Sequence, residues 1–166
     1  MSCSLRPVGR AHRARLERLT RATGLFREEE VATAVELLDE SLAGGDDYRL
    51  VGAFEGDQLI GYACWGPTPG TVATSDLYWI VVERDRQGGG IGSQLLGEVE
   101  RRLTADGRRL VVVETSSRAD YAATRRFYEA RGYTRAATIR GYYAPGDDLV
   151  IYTKDLTPGD LARTAP

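Results

Sequence analysis

The sequence predicts an α/β protein with one mixed sheet and helices on both of its faces. Three observations predict it. The apolar runs "YRLVGAFEG" and "QLIGYACWG" meet at Gly56 and Asp57, a hairpin signal. The runs "DLYWIVV" and "RRLVVVETS" flank a helical pattern, which is the order of a right-handed parallel crossover. Ahead of all these strands, Val31, Val35, Leu38 and Leu42 step by four, three and four, so they share one helix face.

The elements follow in order. Ser4 to Val8 suits a short first strand. A basic helix runs from about Arg10 to Ala22 with Leu16 and Leu19 as its apolar contacts, and Gly24 breaks it. The second helix, from about Arg27 to Leu42, ends at Gly44 and Gly45. The hairpin comes next, then the strand from Asp76 to Val82. Ile91, Leu95, Leu96, Val99 and Leu103 recur at helical spacing up to Gly107. After the strand "RRLVVVETS" a last helix spans about Asp120 to Arg131, with Gly132 as its cap. "YTRAATIRGYY" and "DLVIYTKDL" form a closing hairpin around Pro145 and Gly146. Residues 1–157 are expected to form one domain, and 158–166 a flexible tail.

Composition excludes several function classes. The 166 residues carry 22 Lys and Arg against 24 Asp and Glu, so the chain as a whole is not built to bind nucleic acid. No apolar run is long enough to cross a membrane. The N-terminus has charge but no apolar signal-peptide core, and a cytoplasmic location is expected. Cys3 and Cys64 are too few for a disulfide framework, and His12 is the only histidine. No metal site is expected, and a histidine-based triad would have to use that one residue.

The stretch "RDRQGGGIGSQLL" then poses a problem, because glycine is a poor residue for a helix interior. A helix start solves it. The first amides of a helix have no partner within it, and the dipole adds positive charge at the same end. Glycines let a phosphate approach those amides and permit positive φ in the turn. The chemistry is that of an anion site. No Lys follows as a P-loop would need, and Gly88, Gly90 and Ser93 only approximate a dinucleotide fingerprint.

Gln87, Gly90 and Gly92, with Ser93 and a Leu-Leu pair behind them, resemble the acyl-CoA signature of the GNAT superfamily of N-acyltransferases. "LYWIVV" upstream resembles the family's central strand. "TRRFYEARGY" downstream resembles its later helix, with Tyr128 where a functional tyrosine sits. The element order is similar to the GNAT fold, and the similarity covers about Ser4 to Leu156. The C-terminal stretch is similar to small bacterial single-domain members. One departure is Tyr121, which stands where many members carry an asparagine that helps hold pantetheine.

The resemblance implies an N-acetyltransferase that uses acetyl-CoA as acyl donor and attacks directly with a primary amine, without a covalent enzyme intermediate. It implies that Ile80, Val81 and Val82 run beside pantetheine. Gly88, Gly89, Gly90, Ile91, Gly92 and Ser93 would hold the pyrophosphate on their amides, with Gln87 a further cofactor-binding residue. Tyr128 would protonate the departing thiolate. Asp76 falls where histone-type members carry a catalytic glutamate and is a candidate base, with Glu83, Glu114 or a water chain as alternatives. An alkyl amine with a pKa of about 10.4 must lose a proton before it attacks. The first helix carries Arg10, Arg13, Arg15, Arg18 and Arg21, read mainly as a solvated face and secondarily as a contact for an acidic partner. The expected partner is an amine acceptor, with no nucleic acid and no membrane, and a homodimer is admitted. The competing reading is a non-catalytic acyl-CoA-binding module.

Overall fold

The computed structural model describes residues 3–157; the expected tail, 158–166, lies outside the described residues. The elements are β1 (Ser4–Arg6), α1 (Arg13–Ala22), α2 (Glu28–Leu42), β2 (Arg49–Glu55), β3 (Gln58–Pro67), β4 (Thr74–Val82), α3 (Ile91–Ala105), β5 (Leu110–Ser116), α4 (Ala122–Glu129), β6 (Thr134–Ala144) and β7 (Asp147–Asp155). Their order is the one the sequence predicts. The seven strands form one mixed sheet in the order β1-β2-β3-β4-β5-β7-β6. β4 and β5 are parallel, as their connection through α3 requires, and the closing hairpin β6–β7 is antiparallel.

Boundaries differ at four places. The first strand stops at Arg6, and Val8 beyond it is buried. The first and last helices each begin with a 3-10 turn, Arg10–His12 and Ala119–Tyr121. β4 starts two residues early, at Thr74. Thr74 and Ser75 are polar but buried, because they pair with Leu110 and Val111 of β5.

The chain gathers into two compact units, Met1–Pro67 with Leu77–Arg102, and Thr68–Asp76 with Leu103–Pro166. In the first, Leu16 and Leu19 of α1 and Ala34, Val35 and Leu38 of α2 share a core cluster with Tyr62 and Cys64 of β3. The acidic run Glu28–Glu30 fills the first turn of α2, where the helix dipole favours negative charge. Glu30 also accepts the Arg27 amide proton at 2.8 Å. α3 covers the opposite face of β3: a Cβ on Gly61, one residue out of phase with Tyr62, would lie 3.4 Å from Leu95. Helices on both faces are therefore observed within this unit. Burial of a leucine such as Leu95 or Leu96 is worth about 1.5–3 kcal/mol, which fixes the face α3 presents.

In the second unit β7 pairs with β5 from Leu110↔Asp155 to Ser116↔Leu149 and with β6 on its other side. Val111, Val113, Leu149, Val150 and Tyr152 are buried there. Gly132 follows α4 with φ +83, the left-handed residue expected after the helix.

Candidate active site

The site is built upward from the end of β4. After Val82 the chain makes a 3-10 turn at Arg84–Arg86 and enters α3 at Ile91. Gly88 and Gly90 have φ +80 and +84, while a Cβ on either would meet nothing within 4 Å. Glycine is needed here for backbone conformation, and the space beside the backbone stays open. Gln94 donates to the Gly90 carbonyl at 3.0 Å. The amides before Gln94 precede the helical ladder, at the positive end of a 15-residue helix. These are the features an acyl-CoA pyrophosphate would need, so the residues fit that group.

The loop is held on both sides. Glu83 donates its amide to the Ile60 carbonyl at 2.8 Å, and Gln87 donates its side-chain amide to the Val82 carbonyl at 3.1 Å. Arg86 pairs with Glu55 at 2.5 Å. Arg15 of α1 donates to Glu83 at 2.5 Å and to the Leu59 carbonyl at 3.0 Å. Glu83, an alternative base on sequence grounds, is thus engaged by a guanidinium.

On β4, Tyr78 and Trp79 both pack against the same core cluster, with ring centroids 6.2 Å apart. Phe26 meets Trp79 edge-on at 5.9 Å, and Tyr48 lies 5.6 Å from Tyr78. Thr20 gives its proton to the Leu16 carbonyl, so the 2.6 Å contact with Tyr62 is donated by the tyrosine. The Trp79 indole N–H approaches the Tyr62 hydroxyl without reaching hydrogen-bond geometry and is otherwise unpartnered. In the sequence the two rings are visible only as part of the apolar run "DLYWIVV". Their joint contact with one cluster is seen only in the fold.

In the second unit Asp76 is half-buried and pairs with Val112, the third and last of the β4–β5 partners. Tyr128 of α4 is 4% exposed and packs edge-on against Phe127 and Tyr133, with Tyr152 further off. Its hydroxyl makes no hydrogen bond among the described residues, whereas Tyr152 donates to Glu129 at 2.7 Å. Burial pushes the Tyr128 hydroxyl well above the ordinary tyrosine range. Asp76 and Tyr128 have no described contact with each other. Tyr143 is pushed up to about 12, first by burial and then by the charges of Glu114 and others nearby. That places Glu114, another alternative base, in a tyrosine-rich neighbourhood.

The remaining candidates are excluded by their surroundings. His12 accepts the Gly9 amide proton on Nδ1 at 3.0 Å and stands edge-on to Phe54, so it caps a turn. Burial pushes the Cys64 thiol up to about 12, far from a nucleophile's range. Among the described residues no three of His, Cys, Asp and Glu gather as a metal-binding group.

The model of the acetyltransferase (GNAT) domain matches residues 46–135, which spans β2 to the start of β6 and includes the glycine loop. A solved structure from Desulfovibrio desulfuricans, assigned to the GNAT family of acetyltransferases, is 41% identical with a TM-score of 0.89. It covers 94% of this chain and 100% of its own. The chain belongs to the GNAT acetyltransferase family.

More distant structures share the GNAT fold. An aminoglycoside 6'-N-acetyltransferase solved with coenzyme A has a TM-score of 0.79 at 20% identity, covering 94% of this chain and 98% of its own. A Salmonella typhimurium acetyltransferase-like protein, yncA, solved with acetyl-CoA, has a TM-score of 0.76 at 19% identity, covering 99% and 100%. No curated protein is similar in sequence at a significant level. Among the described residues no helix of this GNAT chain is long and apolar enough to cross a membrane.

Proposed function

We propose that the chain transfers an acetyl group from acetyl-CoA to a primary amine of a small molecule or protein, by direct attack in a ternary complex. The observation that carries this reading beyond family membership is the Tyr128 hydroxyl. A buried tyrosine normally has its hydroxyl satisfied. Tyr128 is 4% exposed as a residue, yet its hydroxyl is not among the fully buried unpartnered atoms and makes no hydrogen bond with the described residues, which leaves it open to a ligand.

The bound thioester supplies the acyl group and a thiol leaving group. The amides around Gly88, Gly89, Gly90, Ile91, Gly92 and Ser93 receive its pyrophosphate. Gln87 acts by holding the loop to Val82. The backbone of Ile80, Val81 and Val82 orients the arm and offers an amide to the thioester carbonyl. Asp76 takes the proton from the amine, directly or through a water, and Tyr128 gives its proton to the departing sulfur. Inert Cys64 agrees with attack that needs no enzyme thiol.

The proposal has no nucleic-acid or membrane partner and a cytoplasmic setting. Three of the five arginines of the first helical segment are ion-paired, Arg13 with Asp39, Arg15 with Glu83, and Arg21 with Glu17 and Glu28, which supports a solvated face. A homodimer remains part of the proposal, read from sedimentation. The test of the function is calorimetric titration with acetyl-CoA, followed by an amine screen that reads released thiol. A folded Gly90→Val variant should lose binding, and unchanged affinity would remove the loop from the site.

A further inference from the structure

A cleft beside the turn after β4 takes no part in the steps above. It measures about 310 Å³, and Arg15, Arg18 and Arg84 line it together with Glu83 and Asp85. Arg15 is committed to Glu83 and to the Leu59 carbonyl. The side chains of Arg18 and Arg84 make no hydrogen bond or ion pair with the described residues. Their neighbours on α1 behave differently, since Arg13 and Arg21 are each neutralised by carboxylates. With Asp85 counted, the lining keeps one net positive charge on a chain whose net charge is −2.

Two unengaged guanidinium forks in one cleft match the geometry of a phosphate better than that of a neutral ligand. The cleft also adjoins the glycine loop along the chain. Arg84 precedes Gly88 by four residues, a span of at most about 14 Å. We infer that Arg18 and Arg84 bind a phosphomonoester dianion. The source is either the ribose 3'-phosphate of coenzyme A or a separate phosphorylated ligand. The first source rests on the acyl-CoA reading proposed above; the second does not.

The test compares the wild-type protein with the double variant Arg18→Ala, Arg84→Ala. Both side chains are exposed, and a melting curve checks that the variant folds. Each protein is titrated with coenzyme A, with dephospho-coenzyme A, which lacks the ribose phosphate, and with inorganic phosphate. If the phosphate is the cofactor's own, wild type binds coenzyme A about ten- to a hundredfold tighter than dephospho-coenzyme A, the scale of one or two charge-assisted hydrogen bonds. The variant then binds both alike, at the wild-type affinity for dephospho-coenzyme A. If the ligand is separate, wild type binds both coenzymes alike but binds inorganic phosphate, and the variant loses that phosphate binding. Identical behaviour of wild type and variant toward all three probes overturns the inference. A wild type that binds inorganic phosphate through these arginines but no coenzyme A would overturn the acyl-CoA reading and leave the anion cleft standing.

Discussion

Gln87 donates its side-chain amide to the carbonyl of Val82 at 3.1 Å, across the turn that separates β4 from α3. The family resemblance implies a cofactor role for Gln87, and the bond closes the loop on the strand that carries Ile80, Val81 and Val82. A net hydrogen bond of this kind is worth about 0.5–1.5 kcal/mol. Gln87→Ala should therefore weaken acetyl-CoA binding about two- to tenfold by calorimetry. Gln87→Glu should bind more weakly still, because it loses the donor and adds a negative charge beside the anion site. If both variants bind as wild type does, the clip has no part in cofactor affinity.

Tyr128→Phe removes only the hydroxyl that has no described partner. It should lower kcat by about 10²–10⁴-fold while acetyl-CoA affinity stays near wild type. The pH dependence is set by direction. Burial raises the Tyr128 pKa, so the proton needed for the sulfur stays in place below the ordinary tyrosine value of about 10. Activity should show no alkaline decline from this group up to that pH. A variant with wild-type kcat would make Tyr128 a packing residue.

Asp76→Asn keeps the shape of the side chain and removes the base. It should cost about 10²–10⁴-fold in kcat/KM and flatten the acidic limb of the pH profile, since a base fails once protonated. The profile is measured with the best amine from the screen. Superimposable profiles for wild type and variant would pass the role to Glu114 or a water chain. Glu83 is the weaker successor, because Arg15 already holds its carboxylate.

Cys64 is 1% exposed, and its thiol is pushed up to about 12 by burial. Iodoacetamide at neutral pH should therefore spare Cys64 in the folded protein, as read by peptide mass mapping. Cys64→Ala should keep kcat within about twofold, because direct attack needs no enzyme thiol. Loss of turnover in a folded Cys64→Ala protein would point to a covalent route instead.

Local signals carried most of this fold. The spacing of Ile91, Leu95, Leu96, Val99 and Leu103 predicts α3, and all five are buried. The glycine run before it was legible as a turn, and Gly88 and Gly90 do take positive φ. What stayed hidden depends on partners distant in sequence. Thr74 and Ser75 lie outside the strand read from the sequence and join it by pairing with β5. The engagement of Glu83 comes from Arg15, 68 positions away. Tyr78 and Trp79 both pack against one cluster, while period-two reasoning assigns them to opposite faces. At the candidate site, Tyr128 was recognisable from its motif, but the unpartnered state of its hydroxyl required the fold.

Transfer of an acetyl group to an amine is tested most directly by following the group itself. Wild-type protein is incubated with isotopically labelled acetyl-CoA and a broad amine panel, and small molecules and intact protein are analysed by mass spectrometry. Labelled N-acetyl product is expected from at least one amine, with one free coenzyme A per product and no labelled acetyl group on the protein's cysteines. Tight acetyl-CoA binding with no acetylated amine across the panel would contradict acetyl transfer and leave a non-catalytic acyl-CoA-binding module.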